Sequence, residues 1–290
     1  MREVVVLGAG MAGIACARAL ADAGRDVLVL DKGRGLGGRM ASRRTERGPL
    51  DHGAPWLEAS GPRFRAVVGA MVASGHAAPW RGAHVGLPGM SGSLGAMAEG
   101  IERRSSWEAR EVRRRDGGWL LRSDDDAVEA REVVSTVPLP QARTLLGAEI
   151  GSALDGASML PCWTLLAFVE GGLGRPGEDV AWLSDEGSKP GRPSGGVVLQ
   201  ATAAWTAPRL EMDRAEACEA LTGLLPGRAV WAAAHRWRYS QADRPLGRPF
   251  VAAPGLRVGG DWCLGSKVEH AWESGTSMAR DLLAAPGGAA

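Results

Sequence analysis

The sequence predicts an α/β fold built around a parallel sheet, and three stretches carry that prediction. The first is Val4-Val5-Val6-Leu7, then Gly8-Ala9-Gly10-Met11-Ala12-Gly13, an Ala-rich segment, and a second apolar run, Val27-Leu28-Val29-Leu30, that ends at Asp31. The second is Lys32-Gly33-Arg34-Gly35-Leu36-Gly37-Gly38-Arg39-Met40, rich in glycine and cations. The third is Leu256-Arg257-Val258-Gly259-Gly260-Asp261-Trp262, an apolar run that ends in Gly-Asp ahead of a helical stretch.

The first stretch reads as strand, glycine turn, helix, strand. Gly8 allows the tight turn, Gly10 lets the backbone approach a pyrophosphate, and Gly13 lets the helix pack closely on its strand. Unpaired N–H groups at the helix start, around Met11 and Ala12, would face the phosphates. Asp31, eighteen residues after Gly13, falls at the end of the second strand, where a carboxylate can accept hydrogen bonds from a ribose. Together these features describe a Rossmann-like dinucleotide-binding unit. The Gly37-Gly38-Arg39 loop that follows resembles the one used by amine-oxidase-like flavoproteins, which favours FAD over NAD.

Composition narrows the class. The chain has 290 residues and is 45% hydrophobic, enough for one large core or two interleaved ones. A net charge of +1 offers no footprint for a nucleic acid polymer or an anionic membrane. Only Lys32, Lys189 and Lys267 are lysines, and there is no asparagine, so no N-glycosylation acceptor exists. Cys16, Cys162, Cys218 and Cys263 are widely spaced and form no C-x-x-C pair, which points to neither zinc nor a redox dithiol and suits a reducing cytoplasm. Arg2 and the apolar run after it can imitate a secretory signal, but cleavage there would remove the phosphate-binding turn, so this segment reads as part of the fold. No apolar run approaches the length of a membrane span.

Apolar spacing predicts a helix over 63–74, and Ser91 is placed to cap another running to about Glu102. Asp116-Gly117-Gly118 reads as a hairpin turn, with Val128 to Val137 returning as a strand. Val112, on that hairpin, is placed beside an adenine by analogy with two-domain flavoproteins. From about Met159 to Phe250 lies a separate block with strands over 164–169 and 196–201 and a helix over 214–225. Its loop 184–194, rich in Gly, Pro and charge, is expected to be exposed. The block has no G-x-G-x-x-G of its own, so a second nucleotide-binding domain is not expected. If 234–239 is a strand, His235, Trp237 and Tyr239 share one face, suited to a pocket holding a flat ring, and Arg236 and Arg238 share the other. Ser266 and Glu269 read as a capping box for a helix over 267–283.

The blocks Asp31-Lys32-Gly33-Arg34 through Met40, Asp51-His52-Gly53-Ala54, Pro88-Gly89-Met90-Ser91, Ser188-Lys189-Pro190-Gly191-Arg192, Ala234-His235-Arg236-Trp237 with Tyr239, and Gly260-Asp261-Trp262-Cys263-Leu264 together resemble bacterial renalases, in order over nearly the whole chain. The resemblance implies a p-hydroxybenzoate hydroxylase-like fold: a Rossmann-like FAD-binding domain over 1–60, 88–150 and 251–284, interleaved with a smaller α+β substrate domain over 61–87 and 151–250, and a flexible tail at 285–290. It implies noncovalent FAD, held by Gly8, Gly10, Met11, Ala12, Gly13, Asp31, Lys32, Arg34, Gly38, Arg39, Met40, Gly53, Ala54, Val112, Gly260, Asp261, Val268 and Glu269. It further implies oxidation of the 2- and 6-dihydro isomers of NAD(P)H to NAD(P)+, with O2 reduced to H2O2, and His235, Tyr239 and Trp56 around the reacting ring. The chain departs from the family pattern at His52, Pro55 and Trp56, where that pattern has Met, Gln and Tyr, and this leaves the substrate ring open. An amine-oxidase-like or desaturase-like oxidoreductase and a non-catalytic FAD- or nucleotide-binding protein remain the alternatives. The sequence does not set the oligomeric state or the choice between NAD and NADP.

Overall fold

A computed structural model describes residues 1–285; the tail expected at 285–290 lies, beyond Ala285, outside the described residues. The chain forms two compact units, each made of separate segments.

The first unit comprises Met1–Gly38, Leu94–Met159 and, of the described residues, those from Ala242 to Ala285. Its eight-stranded sheet has a parallel centre: Arg2–Leu7 lies between Val27–Leu30 and Ala127–Ser135, with Val5 opposite both Leu28 and Val133. Leu256–Gly259 extends the parallel array on one side and Glu102–Arg104 on the other. Val4, Val5, Val6, Leu28 and Val29 are wholly buried, as expected of parallel strands covered on both faces. The hairpin Glu111–Arg115/Gly118–Arg122 turns at Gly117, whose φ of 76° suits glycine, and joins the sheet antiparallel to Ala127–Ser135. The helix Met11–Asp22 packs against Val268–Ala284 at a glycine: a Cβ on Gly275 would lie 2.1 Å from the Ala12 carbonyl oxygen. Trp107, Trp119 and Trp262 fill the rest of the core with the helix Leu139–Ile150.

The second unit comprises Arg39–Ser93 and Leu160–Gln241. Its main sheet runs in the order Val180–Asp185, Gly196–Ala201, Ser158–Glu170, Arg228–Arg244. Strand alternation divides the side chains between two faces. Trp163, Leu165, Ala167, Val197, Leu199 and Ala234 form a core with Ala217 and Leu221 of the helix Arg214–Thr222. Leu166, Phe168 and Val198 meet Leu50 on the other face. The hairpin Ser42–Thr45/Gly48–Asp51, within the expected 1–60 segment, belongs to this unit because Asp51 bonds to Glu186.

Two local expectations fail. Residues 91–102 form two short 3-10 turns, Met90–Leu94 and Ala96–Ala98, followed by the strand Glu102–Arg104. Gly92 and Gly95 weaken a helix there, and the chain folds back so tightly that a Cβ on Gly92 would lie 2.0 Å from the Leu87 carbonyl oxygen. Ser266 is also not the N-cap: the last helix starts at Val268 with Lys267 as its N-cap and no side-chain cap bond, and the Ser266 hydroxyl accepts from the Ala242 backbone N–H at 2.7 Å. None of the described helices is long and apolar enough to cross a membrane.

Candidate active site

The glycine turn in the first unit is a built cradle. A Cβ on Gly8 would lie 2.4 Å from Thr136 Oγ1, and one on Gly13 only 1.8 Å from the Gly8 carbonyl oxygen, so neighbouring protein atoms account for both glycines. Gly10 differs. A Cβ there would meet nothing nearer than the Gly37 carbonyl oxygen at 3.7 Å, and Gly10 is the N-cap of Met11–Asp22 with no side-chain cap. Space and unsatisfied N–H donors at a helix start suit a phosphate. Gly37 donates to the Ala9 carbonyl at 3.0 Å and bridges to Gly10, so the second glycine loop lies against the first.

Asp31 accepts from Ala9 N–H and Gly33 N–H, both at 2.6 Å, through different carboxylate oxygens. Each oxygen keeps a lone pair for a ribose hydroxyl. A cavity of about 210 Å³ opens beside it, lined by Ala9, Val29, Asp31, Arg34, Leu36 and Arg104 among others. Lys32 is exposed next to it, whereas Val112 lies buried in the unit's core. Arg104, Leu36 and Ser105, which also line the cavity, were not expected; Arg104 and Ser105 reach it through a strand pairing 74 residues distant in sequence, a signal no local pattern carries. Gly260 donates its N–H to Ser274 Oγ at 2.8 Å, and Asp261 opens the turn Asp261–Cys263 before the helix that begins at Val268 and Glu269.

In the second unit, the predicted strand face is present within Arg228–Arg244. His235 and Trp237 rings lie 4.3 Å apart, and Tyr239 follows in alternation. Arg236 lies over the Trp163 ring on the opposite face, and Arg238 bonds to Glu211 at 2.7 Å. Those arginines are held by protein groups. Trp56 packs on Trp182, 4.8 Å between ring centroids, and Gln200 donates to the Gly53 carbonyl at 2.7 Å. Gly53 permits a close approach, since its Cβ would lie 2.0 Å from the Arg39 carbonyl oxygen, and Ala54 N–H donates to that same oxygen at 2.8 Å. Arg39 donates to the Ser240 carbonyl at 3.1 Å, and Met40 is buried.

His52, a departure from the family pattern to which the sequence assigns no role, joins this group. Its ring stacks on Trp237 at 5.4 Å and meets His235 edge-on at 4.5 Å. Burial pushes the His52 imidazole down to about 4, Arg43 adding to the effect and the Leu50 backbone and Asp51 opposing it. Burial also pushes His235 down to about 3, reinforced by His52, Arg214 and Arg43.

A pH dependence follows. Unfolded histidine titrates near 6.5, so below that pH the unfolded chain takes up protons that the folded His52 refuses. Stability is complete above about pH 6.5 and is lost as pH falls toward the folded value of about 4, by about 3 kcal/mol for His52. Urea denaturation across this window checks it: His52→Phe is expected to flatten the slope, and an unchanged slope would contradict it.

The loop 184–194 is exposed as expected at Asp185, Gly187, Ser188, Pro190, Gly191 and Ser194, but its other charged residues depart from that expectation. Glu186, Lys189 and Arg192 are buried with Asp51, because their charges neutralise one another. Arg192 donates to Asp51 Oδ2 through Nε at 3.0 Å and Nη2 at 2.6 Å, while Lys189 reaches Glu186 at 2.6 Å. Ser42 and the Met90 N–H satisfy the other Asp51 oxygen at 2.6 and 2.9 Å. Burial raises the Glu186 carboxyl, with Lys189 pulling the other way.

This fold and this cradle define a dinucleotide-binding flavoprotein class. The chain's residues 6–71 match the NAD(P)-binding Rossmann-like domain, and residues 75–283 match the flavin containing amine oxidoreductase model. The chain belongs to the flavin containing amine oxidoreductase family, and its cofactor is FAD. Among curated relatives, putrescine oxidase of Kocuria rosea is 40% identical over 67 residues, which is 23% of this chain and only 14% of that protein's length. Among solved structures, a protein assigned as a protoporphyrinogen oxidase from Exiguobacterium sp. 255-15 has a TM-score of 0.76 at 12% identity, covering 97% of this chain and 98% of the other. Cyclohexylamine oxidase from Brevibacterium oxydans gives 0.70 at 14%, covering 97% and 98%. At such identities these structures establish the fold alone.

Proposed function

We propose that the protein is an FAD-dependent oxidase of 2- and 6-dihydro-NAD(P). Bound FAD would accept two electrons and a proton from the dihydronicotinamide as hydride, and with one further proton O2 becomes H2O2 and NAD(P)+ is released. The chain's own contribution is positioning and exclusion of water. In this reading His235 and Tyr239 orient the ring, Trp56 borders it, and the cradle residues predicted from Gly8 to Met40, with Gly53, Ala54, Val112, Gly260, Asp261, Val268 and Glu269, hold the cofactor.

One observation carries the choice of substrate. Beside the larger effect of burial, the cations Arg214 and Arg43 act on His235 and disfavour added positive charge there. A substrate arriving as an ammonium would meet that charge on entry, whereas a dihydronicotinamide ring enters uncharged. An imidazole held down at about 3 is also a poor acceptor for an ammonium proton at neutral pH. The second reading, a small amine, rests on the family and on the likeness to putrescine oxidase. Oxygen consumption separates the two: 6-dihydro-NAD and 2-dihydro-NAD are expected to give one H2O2 per molecule oxidised, and putrescine none. Turnover of putrescine with inert dihydro isomers would reverse the assignment.

A further inference from the structure

We propose that His52 is a positioning residue for the substrate: it seats the His235 and Trp237 rings as one wall and so sets how tightly that wall holds a planar ring. The inference rests on the dihydronicotinamide reading for its substrate but concerns a residue that reading does not use.

The three rings touch pairwise, with centroids 4.3, 4.5 and 5.4 Å apart. His52 is the deepest, only 7% exposed, whereas His235 and Trp237 are half-buried, so a ligand on this wall meets those two and His52 acts through them. The hold is twofold. The His52 carbonyl accepts from Trp237 Nε1 at 2.8 Å, fixing the indole, and its ring stacks on that indole with 19° between planes. Its edge then fixes the His235 imidazole at 68°.

His52 itself cannot drift. On one side Asp51 is tied by its backbone N–H to Glu186 at 3.0 Å and by its carboxylate to Arg192. On the other, Gly53 packs directly on the Arg39 carbonyl and accepts from Gln200. The buried charge cluster is thus the mount of the residue that carries the wall. Folding alone does not account for an imidazole here: His52 Nδ1 is buried with no hydrogen-bond partner, an arrangement that lowers stability relative to an apolar ring of similar size.

The test compares FAD-loaded wild type, His52→Leu and His52→Phe, matched for FAD content and thermal midpoint, in anaerobic reduction by 6-dihydro-NAD. Leucine removes the stack and phenylalanine keeps it. The half-saturation concentration is expected to rise about tenfold or more in His52→Leu and to stay within about threefold in His52→Phe, with limiting rates little changed in both. Carbethoxylation of His235 by diethyl pyrocarbonate, followed by peptide mass mapping, should be several times faster in His52→Leu than in wild type. Unchanged half-saturation and unchanged carbethoxylation in His52→Leu overturn the proposal. An equal loss in His52→Phe also overturns it, since the ring nitrogens would then act on the substrate directly. If wild type is not reduced by 6-dihydro-NAD, the substrate reading fails, and the carbethoxylation rates decide the role of His52 by themselves.

Discussion

Gly13→Ala is expected to purify without FAD and with a lowered thermal midpoint. Its added Cβ would lie 1.8 Å from the Gly8 carbonyl oxygen and 2.9 Å from the Gly8 carbonyl carbon, both backbone atoms of the turn itself. Backbone cannot rotate aside as a side chain can, so either the helix Met11–Asp22 or the turn must move. Alanine gains about 1 kcal/mol of helix propensity over glycine, but overpacking a tight contact costs about 1–3 kcal/mol, and here the displaced atoms are the cradle. Gly10→Ala provides the contrast. Its Cβ meets no protein atom closer than 3.7 Å, so the fold should keep its midpoint while FAD affinity falls by about tenfold or more, as a methyl fills space kept for the phosphates. Equal FAD content in all three proteins, measured by absorbance of the denatured supernatant, would remove the glycine turn from the cofactor site.

Arg192→Met is expected to destabilise the second unit by about 3–5 kcal/mol, the range for breaking a buried ion pair on one side. Two carboxylates, Asp51 and Glu186, would then share Lys189 as their one cationic partner in the cluster, 3.4 and 2.6 Å away. The Pro88 and Gly86 carbonyls, to which Arg192 donates at 2.5 and 2.9 Å, would lose that donor too. Arg110→Met is the control. Arg110 pairs with Asp124 at 3.0 Å on the surface, where water screens the pair, and its urea midpoint should stay where it was. A midpoint for Arg192→Met no lower than that of Arg110→Met would show that the cluster contributes nothing.

How much of this was legible in the sequence depends on how local each signal is. The turn from Gly8 to Gly13, Asp31, and the strands on either side occur at short spacings whose geometry is set by the elements themselves, and the structure places them as expected. The alternation of His235, Trp237 and Tyr239 against Arg236 and Arg238 was readable for the same reason. The buried charges of the loop 184–194 were not. Its charges and prolines have the composition of a solvated loop, and only Asp51, 141 residues from Arg192 in sequence, makes them a buried cluster. The contact of His52 with Trp237 was hidden in the same way, since the two lie 185 residues apart. The helix expected after Ser91 failed on a local conflict, where glycines needed for close packing outweighed a plausible cap.

These parts form one chain of cause. Buried charges anchor Asp51, the 51–54 segment carries His52 and Gly53, and His52 sets the wall made by His235 and Trp237. In the other unit, glycines that neighbouring atoms require leave Gly10 open to a ligand.

The most direct test of the central claim is anaerobic stopped-flow absorbance of the purified yellow protein at the oxidised-flavin band, mixed separately with 6-dihydro-NAD, 2-dihydro-NAD, ordinary NADH and putrescine. Rapid bleaching by the two isomers is expected, with little by NADH or putrescine, and H2O2 on admitting air. Bleaching by putrescine and not by either isomer would contradict that claim.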